Sequence, residues 1–482
     1  MAIHARSAGE GKRVRTATLV AASLGFAVIQ LDVFVVNVGV KQIGASLGGG
    51  TSALQWVVGS YTLMFAALIL TAGAFGDRFG ARRMYSIGFV VFVAASVACG
   101  LAPDMAVLVA SRAGQGAGAA LLGACSLALI NHAFHDPGER AKALGWWAAG
   151  ASVALSAGPV AGGVLIAGVG WRSIFFINVP IGAAGFYLTR RYTTETDPGD
   201  RRIDVRGQLA AVIAMTALAG GLIEGGTAGF TSPFVIAALV IAAAALAGFL
   251  GLEARTAEPM LPLPLFRRAP FAAPALLGLV ANVAFYGLIF VFSLYFQRIQ
   301  GDSALRAGLA FLPLTAVVLA ANVASSRIAG RIGARGTILI GLAAMAAGCA
   351  GLLVVHSATP FTALVVQQVL LGAGLGIVVP PMTNALMGSV DRSRSGIASG
   401  TLNMSRQTGS VLGVAVFGSL VAARGRFIAG FHTALVISIG LVIVGMLLAS
   451  RIRPPAATGP RDQDQGQDQG QRRPQALGIG RE

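Results

Sequence analysis

The chain has 482 residues, of which 55% are hydrophobic and only 11% charged, and it carries a net charge of +17. Soluble domains carry about 25% charged residues, so this chain cannot clothe a water-facing surface of its own size, and a lipid-facing one is implied. The positive excess sits in short loops, which argues against nucleic acid as the partner, and Gly11-Lys12 runs into Arg13, which excludes an ATP-binding Walker A loop there.

A helix that crosses a bilayer needs about 20 apolar residues. Runs of that length predict fourteen spans, at 17–40, 53–75, 84–102, 105–131, 143–169, 173–189, 206–224, 232–252, 271–297, 305–326, 336–355, 361–386, 398–423 and 430–450. The first run contains Asp32 and is too long for a cleaved signal segment. With the N-terminus placed in the cytoplasm, 28 of the 36 Lys and Arg fall on that side, loop after loop. Six fall opposite: Lys41, Arg172, Arg298, Arg306, Arg424 and Arg426. This is the positive-inside pattern, and an even number of spans keeps both ends in the cytoplasm. Arg112 and Arg406 fall well inside spans. The segment 190–206 is the longest polar break, and the Gln-, Asp- and Gly-rich stretch after Pro454 cannot bury a core.

An internal repeat sets the architecture. Phe75-Gly-Asp-Arg-Phe-Gly-Ala-Arg82 returns 253 positions later as Ile328-Ala-Gly-Arg-Ile-Gly-Ala-Arg335, and Gly116-Ala-Gly118 returns as Gly372-Ala-Gly374. The copies follow matching spans, the second and tenth, then lie within the fourth and twelfth. Two parallel six-helix halves with two extra helices between them are expected. The domain division that follows is a cytoplasmic tail at 1–16, a first bundle at 17–189, a loop, two inserted spans and a linker at 190–270, a second bundle at 271–450, and a disordered tail at 451–482. Charge separates the copies, since Asp77 corresponds to Gly330 and Arg112 to Gln368. The first half is therefore expected to hold the ionic machinery.

Five motifs stand in order: Leu31-Asp-Val-Phe-Val-Val-Asn-Val38 in span one, Gly73-Ala-Phe-Gly-Asp-Arg-Phe-Gly-Ala-Arg-Arg83 between spans two and three, Arg112-Ala-Gly-Gln-Gly-Ala-Gly118 in span four, Gly158-Pro-Val-Ala-Gly-Gly163 in span five, and Trp171-Arg-Ser-Ile-Phe-Phe-Ile-Asn-Val-Pro180 opening span six. From about residue 17 to 450 the chain resembles the major facilitator superfamily. Within it, it is most similar to the 14-helix drug:proton antiporters of the methylenomycin-, puromycin- and quaternary-ammonium-resistance type. The resemblance implies an all-α integral membrane protein with the major facilitator fold. It also implies a monomeric, non-enzymatic exporter of small, largely apolar or cationic molecules across the cytoplasmic membrane, driven by protons and using alternating access. An importer of a small metabolite and a lipid flippase or sensor are the rivals on the same fold.

The residues give this reading its chemistry. Asp32 lies 17 residues beyond Arg15, roughly 25 Å along a helix, and intramembrane ionisable groups usually mark function. Asp32 and Arg112 are the expected proton-coupling pair; the resemblance associates Arg112 with proton transfer. Asp77 and Arg78, between Gly76 and Gly80, are expected in a tight turn, where a carboxylate can meet a helix N-terminus or an arginine of the other half. The resemblance makes Gly73, Asp77, Arg78, Gly80 and Arg82 a conformational latch, with Arg392 and Arg394 as candidate partners. Ala154, Gly158 and Gly162 share one face at four-residue spacing, a surface for close helix contact, and Pro159 adds a kink. The resemblance makes this stripe the one that favours exchange over leak. Asn403, Arg406 and Gln407 share a polar face of span thirteen, and with Asn37, Asn282 and Tyr286 they are the expected substrate pathway. Glu224, at the end of span seven, reads as an interfacial group. Cys99, Cys125 and Cys349 sit in apolar runs without a CxxC, and no His pair has metal spacing, so neither a metal nor another cofactor is expected.

Overall fold

Inside a bilayer each backbone N–H and C=O must find its partner within the protein, so apolar runs of this length fold as helices. In the computed structural model, which describes residues 2–197, 199, 204–256, 259–390, 395–422 and 426–452, the described residues form helices joined by short turns. The first half holds α1 (Ala2–Leu47), α2 (Thr51–Phe79), α3 (Ala81–Leu101), α4 (Met105–Ala133), α5 (Pro137–Val169), the single turn α6 (Ser173–Phe176) and α7 (Asn178–Tyr192). Then come the inserted α8 (Val205–Ala228) and α9 (Pro233–Arg255), and a short α10 (Leu263–Phe266). The second half holds α11 (Ala269–Leu294), α12 (Ala304–Ala310), α13 (Leu312–Gly351), α14 (Phe361–Met387), α15 (Ser395–Ala422) and α16 (Phe427–Ala449).

Among the described residues, eleven helical stretches are long and apolar enough to cross a membrane. The other three expected spans are present in altered form. The sixth comprises α6 and α7, with helical backbone angles at Ile177 between them (φ −59°, ψ −26°). The tenth and eleventh are the two helical stretches of α13 on either side of Gly333, whose non-helical angles (φ +77°, ψ 166°) divide it. The thirteenth is α15, whose polar stripe lowers its hydropathy. Helix α1 is longer than the run 17–40, beginning at Ala2 and reaching Leu47. Of the disordered tail expected at 451–482, residues 453–482 fall outside the described residues.

Helix pairing in lipid is driven by close packing rather than by water expulsion, and small residues permit it. The internal repeat reappears in that packing. Gly80 (φ +90°) and Gly333 (φ +77°) occupy equivalent positions and both need the left-handed region. A Cβ on Gly116 would meet the carbonyl of Tyr61 at 2.2 Å, and one on Gly372 would meet that of Leu314 at 2.3 Å. Tyr61 and Leu314 are separated by the same 253 positions as the repeat. Gly118 sits against Phe92 as Gly374 sits against Met345, at the same separation again.

The insert lies along a seam. Gln208 of α8 donates to Ala67 O at 3.0 Å and accepts from Thr71, both on α2. At the other end of α8, Gly226 lies against Ser419 of α15. One inserted helix therefore touches both halves, while α9 is among the least buried of the spans.

Gly118→Ala forces a methyl to within 2.6 Å of the Phe92 backbone nitrogen and is expected to cost about 1–3 kcal/mol. Gly248→Ala on α9 meets nothing within 4 Å and is expected to leave stability unchanged or slightly raised. Thermal unfolding of the purified variants in one detergent checks both.

Candidate functional site

Asp32 on α1 and Arg112 on α4 form an ion pair, and both side chains are almost fully buried. Burying two charges costs several kcal/mol per ion unless further hydrogen bonds complete the arrangement. They do so here. Arg112 Nε donates to the carbonyl of Val57 at 3.0 Å, and its Nη1 donates to Gln115 Oε1 at 2.8 Å as well as to Asp32 Oδ2. The guanidinium lies over the Tyr61 ring, 4.4 Å from its centroid. Asp32 Oδ1 accepts from Asn178 Nδ2 at 2.9 Å and from Gln115 Nε2 at 3.2 Å. Gln115 also donates to Ser96 Oγ at 2.6 Å. Side chains from α1, α2, α3, α4 and α7 thus converge on one carboxylate and one guanidinium.

Helix α5 holds α1 in place. A Cβ on Gly158 would lie 2.9 Å from Phe34 Cβ, and one on Gly162 would lie 3.2 Å from Val35 Cα, so the stripe clasps α1 just beyond Asp32. Ala154 packs on the same core at partial burial. The neighbouring face of α5 meets the second half: Gly163 lies against Leu305, and a Cβ on Gly308 would strike the Pro159 carbonyl at 2.2 Å.

Direct hydrogen bonds between described residues of the two halves cluster toward the end of the bundle away from the N-terminus. Ser293 donates to Asn37 O, Lys41 Nζ to Gln297 O at 2.7 Å, and Arg298 Nη1 to Thr51 Oγ1 at 3.0 Å. Gln55 Nε2 donates to the carbonyls of Val414 and Ala415 at 2.9 and 2.8 Å, and Ser156 Oγ to Thr315 O at 2.8 Å. Gln297 lies in the π-turn Tyr295–Ile299 that ends α11, where carbonyls lack helical partners and a cation is welcome.

A narrow cavity lies between the halves, lined by Phe26, Gln30, Phe65, Tyr286, Asn403, Arg406 and Gln407. Four expected pathway residues therefore meet: Tyr286, Asn403, Arg406 and Gln407. Two do not line it. Asn37 belongs to the contact with Ser293 and donates to Val33 O, and Asn282 donates to Gly278 O and packs against Gly409 of α15. A larger groove of about 750 Å³ opens on the flank of α2, α4 and α8, with Trp56 and Glu224 on its wall.

The turn between α2 and α3 is tied to the segment after α7. Glu195 Oε1 accepts from Arg82 N at 2.8 Å, Glu195 Oε2 from Arg83 N at 3.1 Å, and Thr196 Oγ1 from Ala81 N at 2.8 Å. A carboxylate on the N-terminus of α3 offsets its exposed N–H groups, and Glu195 fills that place. Asp77 contributes its backbone carbonyl, which accepts from Gly199 N at 2.7 Å. Arg82 Nη2 donates to Arg190 O at 2.7 Å, Arg78 lies 5.5 Å from the Phe79 ring, and Gly73 has open space beside it. Arg392 and Arg394 lie outside the described residues.

Residues 22–414 match the model of the Major Facilitator Superfamily. The chain belongs to the major facilitator superfamily. It is 40% identical over 413 residues to the multidrug resistance protein Stp of Mycobacterium tuberculosis, covering 85% of this chain and 76% of that one. It is 37% identical over 401 residues to the methylenomycin A resistance protein of Streptomyces coelicolor, covering 83% and 84%. The fold is also that of the nucleoside transporter NupG, with a TM-score of 0.64 at 12% identity over 91% of this chain and 100% of that one. A bacterial homologue of the human lysosomal transporter Spinster, solved in an inward-facing and unoccupied conformation, gives 0.61 at 16% identity over 91% and 98%. This is a multi-pass membrane protein of a transporter superfamily whose relatives are drug- and antibiotic-resistance proteins.

Removing one partner of a buried ion pair strands the other. Arg112→Gln is expected to lower stability by about 3–5 kcal/mol, and adding Asp32→Asn to it is expected to recover part of that loss. A double-mutant cycle read by thermal unfolding checks the sign of the coupling.

Proposed function

We propose that this protein exports small, largely apolar molecules such as antibiotics from the cytoplasm in exchange for protons, by alternating access of its two halves. The observation that carries the reading is the buried Asp32–Arg112 pair, placed one helix away from a cavity between the halves. Helix α1 supplies Asp32 to the pair and Phe26 and Gln30 to the cavity. A proton on Asp32 cancels one half of the ion pair and loosens the packing that fixes α1. A shift of α1 then alters the cavity, so proton and substrate act on one rigid element.

On the positive-inside pattern of its Lys and Arg, both termini lie in the cytoplasm in this reading. The hydrogen-bonded end formed by Lys41, Gln55, Ser293 and Arg298 is then the outer gate, closed, and the conformation is one poised to load from the cytoplasm. Substrate release outward requires those contacts to part, and the Gly158–Gly162 stripe keeps α1 and α5 together as they do. No bond in the substrate is made or broken, and no ATP is used. The Glu195-capped turn between α2 and α3 acts as the inner latch, with Asp77, Arg78 and Arg82 as its polar members. The chain works as a monomer.

Wild type and Asp32→Asn, expressed at matched levels in a bacterial host lacking its own exporters, distinguish the possibilities. Wild type is expected to raise the inhibitory concentration of some antibiotics on a broad panel at least about tenfold, and Asp32→Asn to return it to the empty-host value. Equal protection by both would leave export standing and remove Asp32 from its obligatory role.

A further inference from the structure

Two arginines lie inside spans, and the structure treats them differently. Arg112 is met by a carboxylate, an amide oxygen, a backbone carbonyl and an aromatic face. Arg406 is met by none of these: no described carboxylate pairs with it, no described oxygen accepts from its guanidinium, and its Nε is buried without a partner. An unanswered guanidinium deep in a membrane protein is costly and is kept where it has a task. Its neighbours in the cavity are hydrogen-bonding side chains, namely Gln30, Tyr286, Asn403 and Gln407, between the rings of Phe26 and Phe65. No Asp or Glu lines that cavity.

We infer that the central cavity binds an organic anion: a small molecule with an apolar body and a carboxylate-like head group that meets Arg406. A guanidinium presents parallel N–H donors that match two carboxylate oxygens, and such charge-assisted pairs are strong in a desolvated site. The amides of Gln30 and Gln407, and the N–H of Asn403 that is not given to Ser399 O, supply further donors, and the two phenylalanine rings take the apolar body. A cationic ligand placed there would face Arg406 with no acidic residue on the cavity wall to offset it. The cavity measures about 20 Å³ in this conformation, room for about a single water, so it must widen as the halves part to admit such a molecule. The inference rests on this cavity being the substrate site, but not on proton coupling.

Binding without any gradient tests it. Three probes share one aromatic body: 1-naphthoate, 1-naphthamide and 1-naphthylmethylammonium. Equilibrium binding to the purified full chain is expected to rank naphthoate first, about tenfold tighter than the amide, with the ammonium probe weakest. Arg406→Gln is expected to abolish the preference of about tenfold for naphthoate over the amide, and an unchanged thermal unfolding profile in the same detergent shows that the variant is folded. Arg406→Lys is expected to keep part of the preference. An ammonium probe that binds as tightly as naphthoate, or an Arg406→Gln protein that keeps the preference for the acid, overturns the inference and leaves the transport reading intact. Failure of all three probes to bind wild type overturns the inference and removes this cavity as the substrate site, with export still to be judged in cells.

Discussion

The structure is organised around the demand of one buried ion pair. A carboxylate and a guanidinium cannot both leave water unless each remaining lone pair and N–H is met. The partners of Asp32 and of Arg112 Nε and Nη1 draw in Val57 and Tyr61 from α2, Ser96 from α3, Gln115 from α4 and Asn178 from α7. Five helices are thereby fixed in rotation about a common point. Glycines do the complementary work, bringing the backbones near enough for short side chains to reach: Gly116 against Tyr61, Gly118 against Phe92, Gly158 against Phe34.

The two halves share a backbone plan but not a chemistry. Gln368 stands where Arg112 stands in the first half, fully buried, and neither its side-chain oxygen nor its nitrogen has a partner among the described residues. The charge of the second half has moved to Arg406 on α15, which opens on the cavity between the halves. Helix α1 joins these regions. Within one helix it provides Phe26 and Gln30 to the cavity, Asp32 to the ion pair, and Asn37 and Lys41 to the hydrogen-bonded end. A change of charge at Asp32 therefore has a short mechanical route both to the cavity and to the contacts that bind the halves.

Much of this was legible in the sequence because membrane folding exposes its constraints. Length and hydropathy locate fourteen spans, and the repeat in Phe75–Arg82 and Ile328–Arg335 announces two halves. Gly333, where α13 divides, falls in the gap that the hydropathy runs leave between the tenth and eleventh spans, and the backbone stays helical through Ile177 in the sixth. Asp32 and Arg112 stand out as charges within apolar runs, and the structure joins them. Their satisfying partners do not stand out. Gln115 and Asn178 lie inside motifs whose order is evident, yet neither carries a charge, and Ser96 and Tyr61 are unremarkable in a helix. Glu195 was hidden for the opposite reason, being one acid among many charges in a polar loop. Asn37 and Asn282 show the limit of face-based reasoning, because a polar residue on an inward face can serve helix contact as readily as a cavity.

Proton flux in everted membrane vesicles tests the coupling claim most directly. Respiration acidifies the vesicle interior, a pH-sensitive dye reports the gradient, and a compound against which the protein protects cells is then added. The account predicts that the compound dissipates part of the gradient in vesicles holding wild type and has no effect in those holding Asp32→Asn at equal abundance. A wild-type response from Asp32→Asn would contradict it, since the exchanged proton would then travel without the carboxylate around which the first half is built.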